Sequence, residues 1–177
     1  MKKSTVFVRN AIAALFFGSV SLTATAGAQP VSATILEFAE ENTLFVADSD
    51  GGQILAYSLP EAQPATSSAS YNLEGTGTKI AELLGVDSRV VSYHDIAIHP
   101  VSKEAYISLS IQEGATRTPV VIRADQAGSL TKVDLDSLPY TAKKLTDTAT
   151  DEVTFWRDIP ATTLGITDLD YVNGTLY

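Results

Sequence analysis

One hairpin pattern recurs three times along this chain, and that recurrence limits the fold more than any other feature. Thr34-Ile35-Leu36-Glu37-Phe38 alternates apolar and polar residues, turns through 39–42, and returns as Thr43-Leu44-Phe45-Val46-Ala47. Asp95-Ile96-Ala97-Ile98 does the same through the turn 99–103 into Glu104-Ala105-Tyr106-Ile107-Ser108. Asp168-Leu169-Asp170-Tyr171-Val172 turns at Asn173-Gly174 into Thr175-Leu176-Tyr177. Period-2 alternation bounded by turn residues predicts β-hairpins at 34–47, 95–108 and 168–177. Asn-Gly is the strongest turn of the three, because a type I′ turn needs positive φ at both central residues. An aromatic marks the returning strand each time: Phe45, Tyr106 and Tyr177, at spacings of 61 and 71 residues.

Further strands follow the first two hairpins. After the turn at Asp48-Ser49-Asp50-Gly51-Gly52 comes Gln53 to Leu59; after a polar loop 112–118 come Pro119 to Ala124, a turn, and Leu130 to Leu135. Residues 60–72 read as a polar loop. Lys79 to Leu84 before Gly85 reads as a short helix ended by a glycine cap. Residues 137–165 read as an irregular insertion holding the single tryptophan, Trp156.

The runs LFVADSDGGQILAYSL and DIAIHPVSKEAYISLS, with the turn Ala124-Asp125-Gln126-Ala127-Gly128-Ser129-Leu130, resemble blades of secreted bacterial β-propeller repeat proteins of the NHL and quinoprotein-like type. The resemblance covers most of 33–135 and 166–177. It implies an all-β fold of antiparallel four-stranded blades with a short helical insertion. The blades would lie at about 33–73 and 91–136, with the opening hairpin of a third at 166–177 and insertions at 74–90 and 137–165. A β-sandwich or other meander is the alternative. Because propellers need ~4–8 blades to close, the expectation is an incomplete domain over 29–177, the N-terminal fragment of a longer protein.

The N-terminus carries an address. Lys2, Lys3 and Arg9 precede an apolar run from Ala11 to Val20, then small residues ending in Ala26-Gly27-Ala28. That is the layout of a secretory signal peptide over 1–28, cleaved after Ala28. A transmembrane anchor is the alternative, but the second half of the uncharged stretch is Ser, Thr, Gly and Ala, too polar for a span. The expected location is periplasmic or extracellular, with no stable membrane anchor after cleavage. Loss of Lys2, Lys3 and Arg9 takes the 12 Lys and Arg of the chain to nine against 21 Asp and Glu, a net charge of −12. Nucleic acid is a poor partner for such a chain, because counterion release needs clustered cations. With no cysteine, disulfides, thiolate metal sites and cysteine nucleophiles are excluded.

Candidate chemistry is sparse. Asp48-Ser49-Asp50-Gly51 opens like a calcium loop, but Leu59 stands where the bidentate Glu belongs; a hairpin turn suits those residues better. No G-x-S-x-G or Walker spacing occurs. Asn173-Gly174-Thr175 matches a glycosylation sequon by coincidence, within a tight turn. His99 opens a turn, where histidine is structural. His94, Asp95 and Asp168 are the candidate ligand-binding residues. In the propeller reading they sit in strand-entry loops at the channel mouth; the plainer reading has the two Asp side chains bonding nearby backbone. No cofactor is identifiable, and a metal or quinone would need ligands from further blades. Two functions follow from the resemblance. One is an exported, non-catalytic scaffold binding a protein, glycan or small molecule. The other is a periplasmic propeller enzyme of lactonase or quinoprotein dehydrogenase type.

Overall fold

A computed structural model describes residues 29–39, 42–66, 73–146, 148, 150, 152–154 and 156–177. The expected signal peptide lies outside the described residues. Among the described residues three antiparallel sheets form. The first has the order β1 (Ile35–Phe38), β2 (Thr43–Asp48), β3 (Gln53–Ser58) and β8 (Tyr140–Lys144). The second runs β4 (Val91–Ile98), β5 (Ala105–Glu113), β6 (Thr116–Ala124) and β7 (Leu130–Lys132). The third is the two-stranded hairpin of β9 (Tyr171–Val172) and β10 (Thr175–Leu176). A helix, α1 (Thr76–Leu84), lies between the first two in sequence and ends at Gly85, φ 69°.

This architecture corrects the propeller reading. The sheets of four, four and two strands do not close into a ring, and they are not successive copies of one unit. The outer strand of the first sheet does not come from the chain directly after β3. It is β8, from the segment expected to be an irregular insertion, and it pairs Leu55 with Ala142 and Tyr57 with Tyr140. Pro60 and Pro64 cannot donate to a ladder, so the chain after β3 leaves the sheet. β8 occupies the vacant edge, with the Tyr140 ring 5.8 Å from that of Tyr57. The equivalence of the hairpins fails as well. Ile96 lies within β4, which already begins at Val91, whereas Leu169 precedes β9. The matching aromatics face different surroundings. Tyr106 is buried in the core between the large sheets, while Phe45 packs on Tyr171. Local alternation marks strands but does not choose their partners.

Two apolar clusters hold the sheets. Leu36, Phe38, Leu44, Val46, Leu55 and Tyr57 from one face of the first sheet meet Ala97, Tyr106 and Val121 from one face of the second. On the reverse face of the second sheet, Ile107, Leu109, Val120 and Ile122 receive Ile80 of α1. Fully burying an aliphatic side chain contributes about 1.5–3 kcal/mol, so these two layers rather than the loops carry the stability. The polar loop expected at 112–118 is mostly strand. β5 and β6 continue to a tight turn at Gly114, whose φ is 62°. The Asn173-Gly174 turn has φ of 50° and 84°, both positive as its sequence requires.

Candidate functional site

β1 and β4 are edge strands of separate sheets, and they approach one another side by side. Ala39 N–H donates to Thr43 O, so by antiparallel alternation Leu36 N–H points out of the sheet, away from β2. Leu36 is only 3% exposed, and a buried amide needs an acceptor. Asp95 supplies it: Leu36 N–H donates to Asp95 Oδ2 at 2.8 Å. Asp95 thus bonds backbone 59 positions away, not the local loop the plainer reading expected. It joins the two sheets.

Beside this junction lies an open cleft of about 450 Å³. Its walls are Leu36, Glu37 and Phe38 of β1, Asp95 to Ile98 of β4, Pro100, and Asp168 with Leu169 from the segment entering β9. Three carboxylates therefore share one cleft with aliphatic side chains, of which Ile96 is 58% exposed. Glu37 pairs directly with Phe45 across β1 and β2, so both side chains stand on one face. Tyr171 covers that face. Its ring lies 5.8 Å from that of Phe45. Burial pushes the Glu37 carboxyl above its ordinary range; hydrogen bonding from the Tyr171 backbone opposes this, and the charges of Asp170, Asp168 and Asp95 reinforce it.

Of the residues expected to form a site, Asp95 and Asp168 line this cleft and His94 does not. There is no ring and hence no axial channel, so none of the three sits at a channel mouth. Asp168 Oδ1 also accepts from Leu169 N–H at 2.9 Å, the local backbone bond expected of a short acidic residue. His94 is the extra residue of a β-bulge between Tyr93 and Asp95, a device that re-aims a side chain. Its Nε2 lies 2.9 Å from the Oγ of buried Ser110. Desolvation lowers the His94 pKa, aided by Arg117 and opposed by Asp50. Glu37 was not among the expected residues. Its only signal in the sequence is an acidic residue between Leu36 and Phe38 in an otherwise apolar strand.

Two other polar centres are structural. Asp48 is fully buried and accepts five bonds: from Val31 N–H (3.2 Å), Ser32 N–H (2.8 Å), Ser32 Oγ (3.2 Å), Gly51 N–H (3.0 Å) and Gln53 Nε2 (2.8 Å). This carboxylate ties the turn after β2 to the segment entering β1. His99 Nδ1 accepts from Val101 N–H and Ser102 N–H, both at 3.2 Å, and its ring lies edge-on to Phe38 at 4.8 Å. It organises the turn between β4 and β5. Among the described residues no group of three or more His, Asp or Glu is placed to hold a metal ion. No helix among them is long and apolar enough to cross a membrane.

No known protein family, no curated protein and no solved structure matches the chain.

Proposed function

We propose that this is an exported binding protein that takes a small organic cation with an apolar portion in the cleft between β1, β4 and the β9 approach. The observation that carries this reading is the composition of that cleft: Glu37, Asp95 and Asp168 beside the solvent-facing aliphatic groups of Ile96 and Ile98. Concave sites with apolar walls and a few convergent polar groups are where small ligands bind. Burial is the main influence that raises the Glu37 carboxyl, and an ammonium group entering the cleft offsets the repulsion that Asp170, Asp168 and Asp95 add to it. The carboxylates are not gathered into a metal-ligating set, which favours an organic cation over a metal ion. Export is supported by the leader at 1–28, whose charged start, apolar core and small-residue end match a cleaved signal. Intact mass of secreted material beginning at Gln29 is the check on that part.

Titration with n-hexylammonium, followed by amide chemical shifts, tests the cleft. Saturable shifts confined to Leu36, Ala97 and Leu169, weakened in Glu37→Gln and Asp168→Asn and missing with hexanoate, are expected. Equal responses to hexanoate and hexylammonium would sink the reading. So would shifts that ignore both substitutions.

A further inference from the structure

The outer strands of the two large sheets are not alike. β7 carries Lys132, and β8 carries Lys143 and Lys144. Lysine on an outer strand is one way proteins keep an open edge from pairing with another chain. β1 and β4, which border the cleft, carry neither lysine nor proline. On β1 the outward Leu36 N–H is already taken by Asp95, so β4 is the freer edge. His99 N–H donates to Glu104 O at 2.8 Å, and Ile96, Ala97 and Ile98 pair in unbroken register with Ile107, Tyr106 and Ala105. Antiparallel alternation therefore turns the N–H and C=O of both Ile96 and Ile98 away from β5. β4 ends its sheet on that side, and among the described residues no strand lies beyond it to take up these four groups. Ile96 and Ile98 are 58% and 49% exposed, so another chain can reach them.

We propose that the open edge of β4 at Ile96 and Ile98 takes an extended peptide as an added strand, with a cationic residue between two apolar ones. This rests on the cation reading of the cleft and names the ligand class. Two peptide residues stand directly opposite Ile96 and Ile98 and exchange N–H···O=C bonds with them, the strand-addition mode of peptide recognition. Their side chains share the face of Ile96 and Ile98, which is apolar. The residue between them stands opposite Ala97, on the face that Asp95 shares by alternation, and a Lys or Arg there meets the carboxylates of the cleft. Asp168 and Glu37 line the same cleft. A second copy of the chain is the poorer occupant. Pairing two β4 edges would bring one acidic cleft against another, and like charges across strands are destabilising.

The experiment follows the backbone amides of the full chain with acetyl-Thr-Val-Lys-Val-Thr-amide as the probe. Saturable binding is expected, with exchange of the Ile96 and Ile98 amides slowed about tenfold or more and that of Ala97, already bonded to β5, unchanged. The same peptide N-methylated at both Val residues keeps its charge and side chains but cannot donate to β4. It should bind about tenfold more weakly or worse. Equal binding of the N-methylated peptide, with n-hexylammonium still bound, would overturn the added strand and leave the cation reading standing. Equal binding of the analogue with Glu in place of Lys would overturn the cation reading and this ligand class with it. Slower Ile96 and Ile98 exchange on raising the protein concentration alone would assign the edge to a second copy and overturn the proposal.

Discussion

Asp95 separates a structural from a ligand-binding role, and its replacement by Ala and by Asn gives different expected losses. In the folded chain its Oδ2 takes the Leu36 N–H at 2.8 Å, and Leu36 is almost wholly buried. A hydrogen bond to a charged group contributes about 1.5–3 kcal/mol. Asp95→Ala removes it and strands a buried donor. The relief of charge on Glu37 offsets little of this, because Asp95 is the smallest of the influences acting there. The expected loss is therefore about 1.5–3 kcal/mol, or about 3–12 °C in Tm for a chain of this size. Asp95→Asn keeps an acceptor oxygen and drops the charge, so it should lose no more than about 1 kcal/mol. Urea denaturation of both variants beside the wild type measures the difference, and faster exchange at the Leu36 amide in the Ala variant localises it. Two results refute the reasoning: an Ala variant within about 0.5 kcal/mol of wild type, the ordinary range of a surface change, or an Asn variant as unstable as the Ala variant.

Three further outcomes are expected. A methyl at Gly51 would lie 2.1 Å from Asp48 Oδ2, so Gly51→Ala must push a buried carboxylate off its donors. The expected loss is about 2–4 kcal/mol, and a urea midpoint equal to wild type would contradict it. Ser108 Oγ is buried without a hydrogen-bond partner among the described residues; Ser108→Ala removes that unmet hydroxyl and should raise stability by about 1–2 kcal/mol, whereas a fall of that size in calorimetry would show that the hydroxyl has a partner. Desolvation lowers both His94 and His99 in the fold, so at these two sites the native state binds fewer protons than the unfolded chain. Their contribution should be complete above about pH 6.5 and be lost as pH falls through the depressed folded values. Denaturation curves from about pH 7.5 downward, with His94→Gln as the control for its share, check this; stability that rises over the same interval would reverse the sign.

What the sequence determined by itself is local. Alternation placed strands at 35–38, 43–48 and 53–58 almost to the residue, because period-2 burial of Leu36, Phe38, Leu44 and Val46 is written in the chain. Gly85 and Asn173-Gly174 announced a helix end and a hairpin, because both need left-handed backbone. The turn reading of Asp48 to Gly51 was also available there, although the five donors gathered on Asp48 were not. Only the tertiary structure decided the rest. β8 joins β3 across more than eighty residues of chain, and nothing in YTAKK names that partner, since any vacant edge satisfies the same backbone groups. The repeated hairpins suggested a closed ring of like blades; the pairings instead make three unclosed sheets. The cleft was legible in part. Asp95 and Asp168 stood out as short acidic residues at strand entries. Glu37 became their neighbour only through packing, because Coulomb interaction and desolvation depend on distance in space, and the residues that perturb Glu37 lie 58 to 134 positions away along the chain.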